Sequence, residues 1–179
     1  MSVDDRIQAA QAAWKKKDAG AAVRALEGAL ADLRKEAPLE IRVACPINHD
    51  HTGLGLYTPA AKDVVDGRRV RLYLEVANHV LTSVPGGAWR AQLDVTGDFS
   101  FEDPGDGTAE HPAGETTLQK GVGLGTQAFE TRTPAGVTSF GVEINLGDKA
   151  PPGTYHVWLH VKDAVGNKSA QREARFVLT

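Results

Sequence analysis

The sequence predicts a mainly β protein: an antiparallel sandwich of about seven to nine strands, preceded by an α-helical hairpin. In residues 1–37 the apolar side chains recur every three or four positions, which is the period of a helix. In residues 40–179 they alternate with polar side chains, which is the period of a half-buried strand. No helix-length pattern interrupts these alternating runs, so parallel βαβ architectures are excluded. We therefore predict two parts, a hairpin over 1–37 and a sandwich over 40–179.

The first part predicts two antiparallel helices. Four apolar residues line one face of the first helix: Val3, Ile7, Ala10 and Trp14. Ser2 is a suitable N-cap, with Asp5 three residues later as a variant of the capping box. Asp18 begins the second helix, which Pro38 prevents from continuing. The apolar residues of the second helix repeat the same spacing: Val23, Leu26, Leu30 and Leu33.

The second part contains six clear alternating runs and two weaker ones. The predicted strands lie at 41–45, 70–76, 89–96, 140–146, 155–162 and 174–178, with weaker candidates at 54–57 and 124–131. Clusters of Gly, Pro, Asp and Asn separate the runs, as is typical of turns between short antiparallel strands.

Composition excludes several classes of function. Lys and Arg number 20 and Asp and Glu number 23, a net charge of −3, which gives no electrostatic reason to expect nucleic acid as a partner. No run approaches the roughly 20 apolar residues that a bilayer span needs, so we expect no membrane insertion. The first residues show no signal peptide. Cytoplasmic and mature extracytoplasmic locations both remain open.

Part of the hairpin resembles a tetratricopeptide repeat. The resemblance is carried by Asp18-Ala19-Gly20-Ala21-Ala22-Val23-Arg24-Ala25-Leu26-Glu27-Gly28-Ala29-Leu30, with Pro38 later, and covers about one repeat. Repeat proteins need about three units to bury a continuous core. The hairpin must therefore dock, either on its own sandwich or on a second hairpin in a four-helix arrangement that makes a homodimer.

The end of the chain resembles bacterial immunoglobulin-like domains of the polycystic-kidney-disease (PKD) type. The resemblance is carried by the turn and strand at 151–163, by the Gly166-Asn167 turn and by Asp103-Pro104-Gly105-Asp106-Gly107-Thr108. It implies an immunoglobulin-like fold for 40–179. By analogy it implies adhesion or scaffolding.

Two groups of residues suggest metal binding. Cys45, His49, Asp50 and His51 combine a thiol, two imidazoles and a carboxylate, a ligand set that suits Zn or Cu. Cys45 also continues the inward phase of its strand, which suits a small buried apolar residue.

The second group is an acidic loop of seven carboxylates without a nearby Lys or Arg: Asp94, Asp98, Glu102, Asp103, Asp106, Glu110 and Glu115. It is either a Ca²⁺ site or a solvated edge of the sheet.

A third group, the aromatic stripe, consists of His156, Trp158 and His160 on one face of a strand whose other face is apolar. Either the hairpin covers this stripe, with Trp14 against Trp158, or the stripe binds a sugar or a protein.

We find no set of residues typical of a catalytic site, and we expect no enzyme. The favoured hypothesis is a protein-interaction or scaffold module. The alternatives are a carbohydrate- or calcium-binding accessory module of a surface protein, and a Cys/His metal-binding protein.

Overall fold

The computed structural model describes residues 1–49, 51–65, 67–105, 108–109, 113–132 and 136–179. The chain is mainly β with two helices, as the sequence predicts. The helices are α1 (Val3–Lys15) and α2 (Ala19–Glu36). The strands are β1 (Glu40–Ile47), β2 (Val64–Val65), β3 (Arg69–Ala77), β4 (Thr82–Val84), β5 (Ala88–Asp103), β6 (Gly114–Thr131), β7 (Val137–Asn145), β8 (Gly153–Asp163) and β9 (Lys168–Leu178).

Both helices begin at the predicted caps. Ser2 Oγ accepts a hydrogen bond from the backbone N–H of Asp5 at 3.1 Å, and Asp5 Oδ2 accepts one from the N–H of Ser2 at 2.8 Å. These two bonds form a capping box, which satisfies donors that the first helical turn leaves open. Asp18 caps α2 by accepting from the N–H of Ala21 at 2.9 Å.

The interior of the hairpin is made of small residues. Its buried residues are Ala10, Ala22 and Ala29. Arg6 crosses between the helices to reach Asp32 at 2.7 Å, and it does so over Gly28, where a Cβ atom would collide with its guanidinium group. The two helices therefore pack closely, but they enclose no large apolar side chain.

The strands form two sheets. The smaller sheet has the antiparallel order β1-β3-β7. The larger sheet has the order β2-β9-β8-β5-β4, and β6 pairs with β5 along its whole length. The pairs are antiparallel except β2 with β9, which is parallel.

One apolar core lies between the inner faces of the two sheets. Its buried residues include Val70, Leu72, Leu74 and Val76 of β3, Phe140, Val142 and Ile144 of β7, Tyr155, Val157, Leu159 and Val161 of β8, and Phe176 and Leu178 of β9. The rings of Tyr155 and Phe176 stack with centroids 5.3 Å apart. The predicted inward positions of these strands are thus confirmed, because a period of two places alternate residues on one face.

The predicted inward orientation of Cys45 is wrong. The pairing of β1 with β3 shifts register between Ile41 and Val43, so the side chains after this bulge change faces. Ala44 packs against the core instead, and Cys45 lies opposite Tyr73 on the outer face of the smaller sheet.

The predicted acidic loop is largely strand. Asp94, Asp98 and Glu102 lie on β5 and Glu115 lies on β6, because the alternation of β5 continues through Phe99. Asp106 and Glu110 lie outside the described residues. The weak candidate at 54–57 is a turn with an isolated bridge between Gly53 and Leu56, and the short strands β2 and β4 are not predicted from the sequence.

Candidate functional site

The small and polar side of the hairpin faces the β part across a cavity. Gly28, Ala31 and Lys35 of α2 line a shallow cavity together with His79 and Trp89 of the β part. These three helical positions share one side of α2, since successive residues turn by about 100°. The opposite side of α2 therefore faces away from the β part.

Lys168 of β9 fixes the end of the hairpin to the β part. Its Nζ donates to the backbone carbonyls of Arg34 at 2.5 Å and Ala37 at 2.6 Å, and to that of Asn78 at 3.3 Å. The side-chain amide of Asn78 donates to the carbonyl of Pro38 at 3.1 Å. A cation at the carbonyl end of α2 also complements the helix dipole. We refer to Lys168, Asn78 and these carbonyls as the hairpin clamp.

The outward side of the hairpin exposes large apolar side chains. The exposed fractions are 38% for Ile7, 68% for Trp14, 54% for Val23, 52% for Leu26, 45% for Leu30 and 47% for Leu33. The helical periodicity places the residues from α1 and α2 on the same side of the antiparallel pair. We call these six residues the hairpin face.

The hairpin face is one sizeable apolar patch. Its exposed area is on the order of 500 Å², near the upper end of what typical soluble monomers expose in one patch. The sequence predicts the amphipathic spacing of these residues, but it does not predict which side of the hairpin turns to the β part. Patches of this size often mark binding surfaces.

The aromatic stripe lies elsewhere, on the outer face of the larger sheet. Trp158 is 43% exposed and lies between Asp98 of β5 and Glu173 of β9. His156 Nδ1 lies 2.5 Å from Glu173 Oε1, and His160 Nε2 lies 3.1 Å from Asp98 Oδ2.

The structure does not bring Trp14 to this stripe, because the hairpin attaches at the clamp and leaves both indoles exposed.

Asp98 also accepts a hydrogen bond from the N–H of Gly121 at 2.7 Å. This backbone hydrogen bond lowers the pKa of Asp98, and the bond with His160 lowers it further.

The pairing of β5 with β6 brings three of the acidic residues together, because Glu102 lies opposite Glu115 and both line one cavity with Asp103 and His156. Ser100 donates to Glu115, and Asp103 Oδ1 accepts from the N–H of Gly105 at 2.9 Å. Glu102 Oε1 lies 3.6 Å from His156 Nε2. Among the described residues no three His, Cys, Asp or Glu side chains are placed to hold a metal ion. Asp50 and Asp106 lie outside those residues, so the Zn and Ca²⁺ sites stay predictions.

The residues around Cys45 form an aromatic cluster. Tyr57 stacks on Tyr73 with centroids 4.0 Å apart, and His51 meets the edge of Tyr73 at 5.2 Å. The N–H of Gly55 donates to Tyr73 Oη at 2.9 Å and to Glu75 Oε1 at 3.1 Å, so the loop after β1 is held over the outer face of the smaller sheet. The sequence analysis does not predict this cluster. The signals that could have indicated it are Tyr73, at an outward position of β3, and Tyr57, in the loop that covers it.

Cys45 is poorly suited to nucleophilic chemistry. Burial raises the pKa of the Cys45 thiol, and the carboxylates of Asp63 and Glu75 raise it further. The Arg172 guanidinium opposes these effects but does not outweigh them. A reactive cysteine needs the opposite environment, since the thiolate is the nucleophile. His49 is exposed, two residues after β1 ends.

His79 lies beneath the hairpin and is only 1% exposed. Burial lowers the pKa of His79 below its ordinary 6.5, and Arg34 acts in the same direction, whereas Asp163 and the backbone of Val76 raise it. Below that pH the unfolded chain takes up a proton that the folded chain resists. The free energy of unfolding should therefore fall as the pH drops below 6.5, by at most about 1.4 kcal/mol per pH unit.

Replacing His79 by Gln should remove this component. Urea unfolding between about pH 5 and 8 measures it, as the difference between the variant and the parent chain. The exposed His49→Gln variant is the control and should keep the parental dependence. Identical pH profiles for His79→Gln and the parent would contradict the argument.

Comparisons with known proteins give no family for this chain. No family model matches, and no curated protein matches. Among solved structures, one of a family 123 glycoside hydrolase from Clostridium perfringens has 12% identity and a TM-score of 0.33, over 65% of this chain and 23% of that one.

Two other solved structures are similarly distant. A DUF4466 family protein from Parabacteroides merdae has 11% identity and a TM-score of 0.34, over 76% of this chain and 43% of that one. A FixG-related protein from Vibrio parahaemolyticus has 10% identity and a TM-score of 0.32, over 80% of this chain and 98% of that one. At these scores the likenesses carry no argument about function.

Within the described residues, neither helix is long and apolar enough to cross a membrane.

Proposed function

We propose that this protein is a non-enzymatic interaction module, in which an immunoglobulin-like sandwich of the PKD type carries a hairpin that binds another protein. The exposed hairpin face is the observation that carries the proposal. Its side chains point away from the β part, so nothing in the described chain buries them. Burying such half-exposed side chains contributes about 1 kcal/mol each, so covering them favours the binding of a helical partner.

The β part supports the immunoglobulin-like component of the proposal. Two mainly antiparallel sheets share one core, which is the architecture that such sandwiches have. The segment that resembles PKD domains forms the hairpin of β8 and β9. Asn167 in its turn has a φ of 49°, a backbone conformation that Asn tolerates better than most residues.

The non-enzymatic component is supported by the environment of Cys45, whose burial disfavours the thiolate.

The alternative of glycan binding has less support. In the aromatic stripe, the indole of Trp158 lies between polar side chains that already bond to each other, His160 with Asp98 and His156 with Glu173. A sugar would have to replace these bonds with its own.

The test is to make the hairpin face polar. The double change Leu26→Gln and Leu30→Gln should leave the free energy of unfolding of the dilute single chain within about 0.5 kcal/mol per substitution, because both side chains are exposed. The same change should reduce binding of the dye ANS, which binds exposed apolar surface. Urea unfolding followed by circular dichroism and dye fluorescence measure the two effects.

The matched control is Ala29→Gln, which places a large polar side chain between α1 and α2. It should destabilise the hairpin by about 1–3 kcal/mol, since overpacking forces the helices apart. If the double variant lost hairpin structure as the control does, the hairpin face would belong to the chain's own core and the proposal would fail.

A further inference from the structure

We propose that the partner of the hairpin face is a second copy of this chain, packed face to face as a two-fold antiparallel four-helix bundle. The inference rests on the proposed function, because it names the partner of the same surface. Three properties of the hairpin support it: the spacing of its apolar residues, its charge distribution and its exposed area.

The spacing in α2 is symmetric. Successive intervals between Val23, Leu26, Leu30 and Leu33 are three, four and three residues. When α2 packs against an antiparallel copy of itself, Val23 meets Leu33 of the second copy and Leu26 meets Leu30 of the second copy. Each apolar side chain then faces another from the same set, which is what an isologous two-fold interface requires. The same 3-4 spacing is that of helices packed in four-helix bundles.

The charges at the two ends of the hairpin select the orientation. Lys15, Lys16 and Lys17 lie at the turn between the helices. Asp4 and Asp5 of α1 lie at the opposite end, beside the last turn of α2, which carries Arg34 and Lys35. A two-fold axis parallel to the helices would bring the lysine ends of both copies together. An axis across the helices brings the lysines of each copy to the aspartates of the other. The second arrangement is favoured because it pairs opposite charges.

The hairpin also lacks the net charge that would keep two copies apart. Residues 1–37 contain seven basic and six acidic side chains, and no charged residue belongs to the hairpin face. The β part lies on the other side of α2, where Gly28, Ala31 and Lys35 line the shared cavity, so it does not block a second copy.

The available area suits a stable dimer. The hairpin face exposes roughly 500 Å² of apolar surface, and its polar margins bring the contact toward the roughly 800 Å² per partner of stable interfaces. An interface of this composition, apolar at its centre and charged at its ends, matches the anatomy of homodimer contacts.

Light scattering coupled to size-exclusion chromatography of the full chain tests the inference. We expect a mass twice the 19.1 kDa of one chain, and single-chain mass for Leu26→Gln with Leu30→Gln. Asp4→Lys alone, and Lys16→Glu with Lys17→Glu, should each weaken the dimer about tenfold, because each contact occurs twice. An equimolar mixture of these two charge variants should restore the parental affinity. The exposed Lys149→Glu is the control and should change nothing.

The outcomes separate the inference from the proposed function. If the parent has the mass of a single chain, and the Leu26 and Leu30 changes reduce its dye binding, the second copy is overturned as the partner, but the hairpin face is kept as a binding surface. A dimer that those two changes leave intact would form through another surface, and it would overturn the second copy as the partner of the hairpin face. A dimer that they abolish, but whose charge variants do not complement each other, would overturn the antiparallel arrangement.

Discussion

Replacing Asp163 by Ala is expected to lower the free energy of unfolding by about 3–5 kcal/mol. The Asp163 side chain is fully buried at the end of β8. Its Oδ2 accepts from the N–H of Val80 at 2.7 Å, and its Oδ1 accepts from the N–H groups of Val165 and Gly166 at 3.0 Å each. Alanine would leave three N–H donors without this acceptor. A buried unpaired donor costs about 1–3 kcal/mol, and that of the exposed Val165 costs less because water can reach it. Urea unfolding at neutral pH measures the loss.

Two variants control this prediction. Asp163→Asn keeps one oxygen for the turn but presents an N–H group to the N–H of Val80, so we expect a smaller but clear loss. Asp148→Ala removes an exposed aspartate from another turn and should change the free energy of unfolding by less than about 0.5 kcal/mol. Equal effects of the two alanine substitutions would refute the assigned role of Asp163.

Replacing Lys168 by Met should release the hairpin from the β part without unfolding the sheets. The ammonium group of Lys168 joins three backbone carbonyls, those of Arg34, Ala37 and Asn78. Hydrogen bonds from a charged donor contribute about 1.5–3 kcal/mol, and Met retains the length of the apolar stem. We therefore expect amide hydrogen exchange in the last two turns of α2 to accelerate about tenfold or more.

The amide groups of β8 and β9 should keep their parental exchange rates in this variant. Lys162→Met is the matched control, because Lys162 is an exposed lysine of the neighbouring strand β8. Unchanged exchange in α2 after the Lys168 substitution would show that the clamp does not hold the hairpin.

Much of the fold follows from local sequence signals. The caps at Ser2 and Asp18 predict where the helices begin, because a side-chain oxygen there satisfies the first open N–H groups. Alternation along β3 and β8 predicts which residues enter the core, since a strand has only two faces. These signals lie within a few residues of the structure that they specify.

The errors arise where distant parts of the chain meet. A bulge beside Ile41 moves Cys45 to the outer face, and single-strand alternation contains no sign of a bulge that depends on the pairing with β3. Gly97 interrupts the apolar pattern of β5, so its second half reads as an acidic loop. Which side of the hairpin turns away from the β part depends on the bonds of Lys168, a residue far along the chain from α2.

The hairpin clamp also determines what a pair of chains could do together. A flexible linker would let each β part move independently, but the bonds of Lys168 and Asn78 hold the base of α2 in place. Two copies joined at their hairpins would then carry their β parts at a fixed separation and angle. If each β part bound a ligand, only ligands spaced to match this geometry would be bound by both at once, and so with avidity. Ligands with any other spacing would be bound through one β part only.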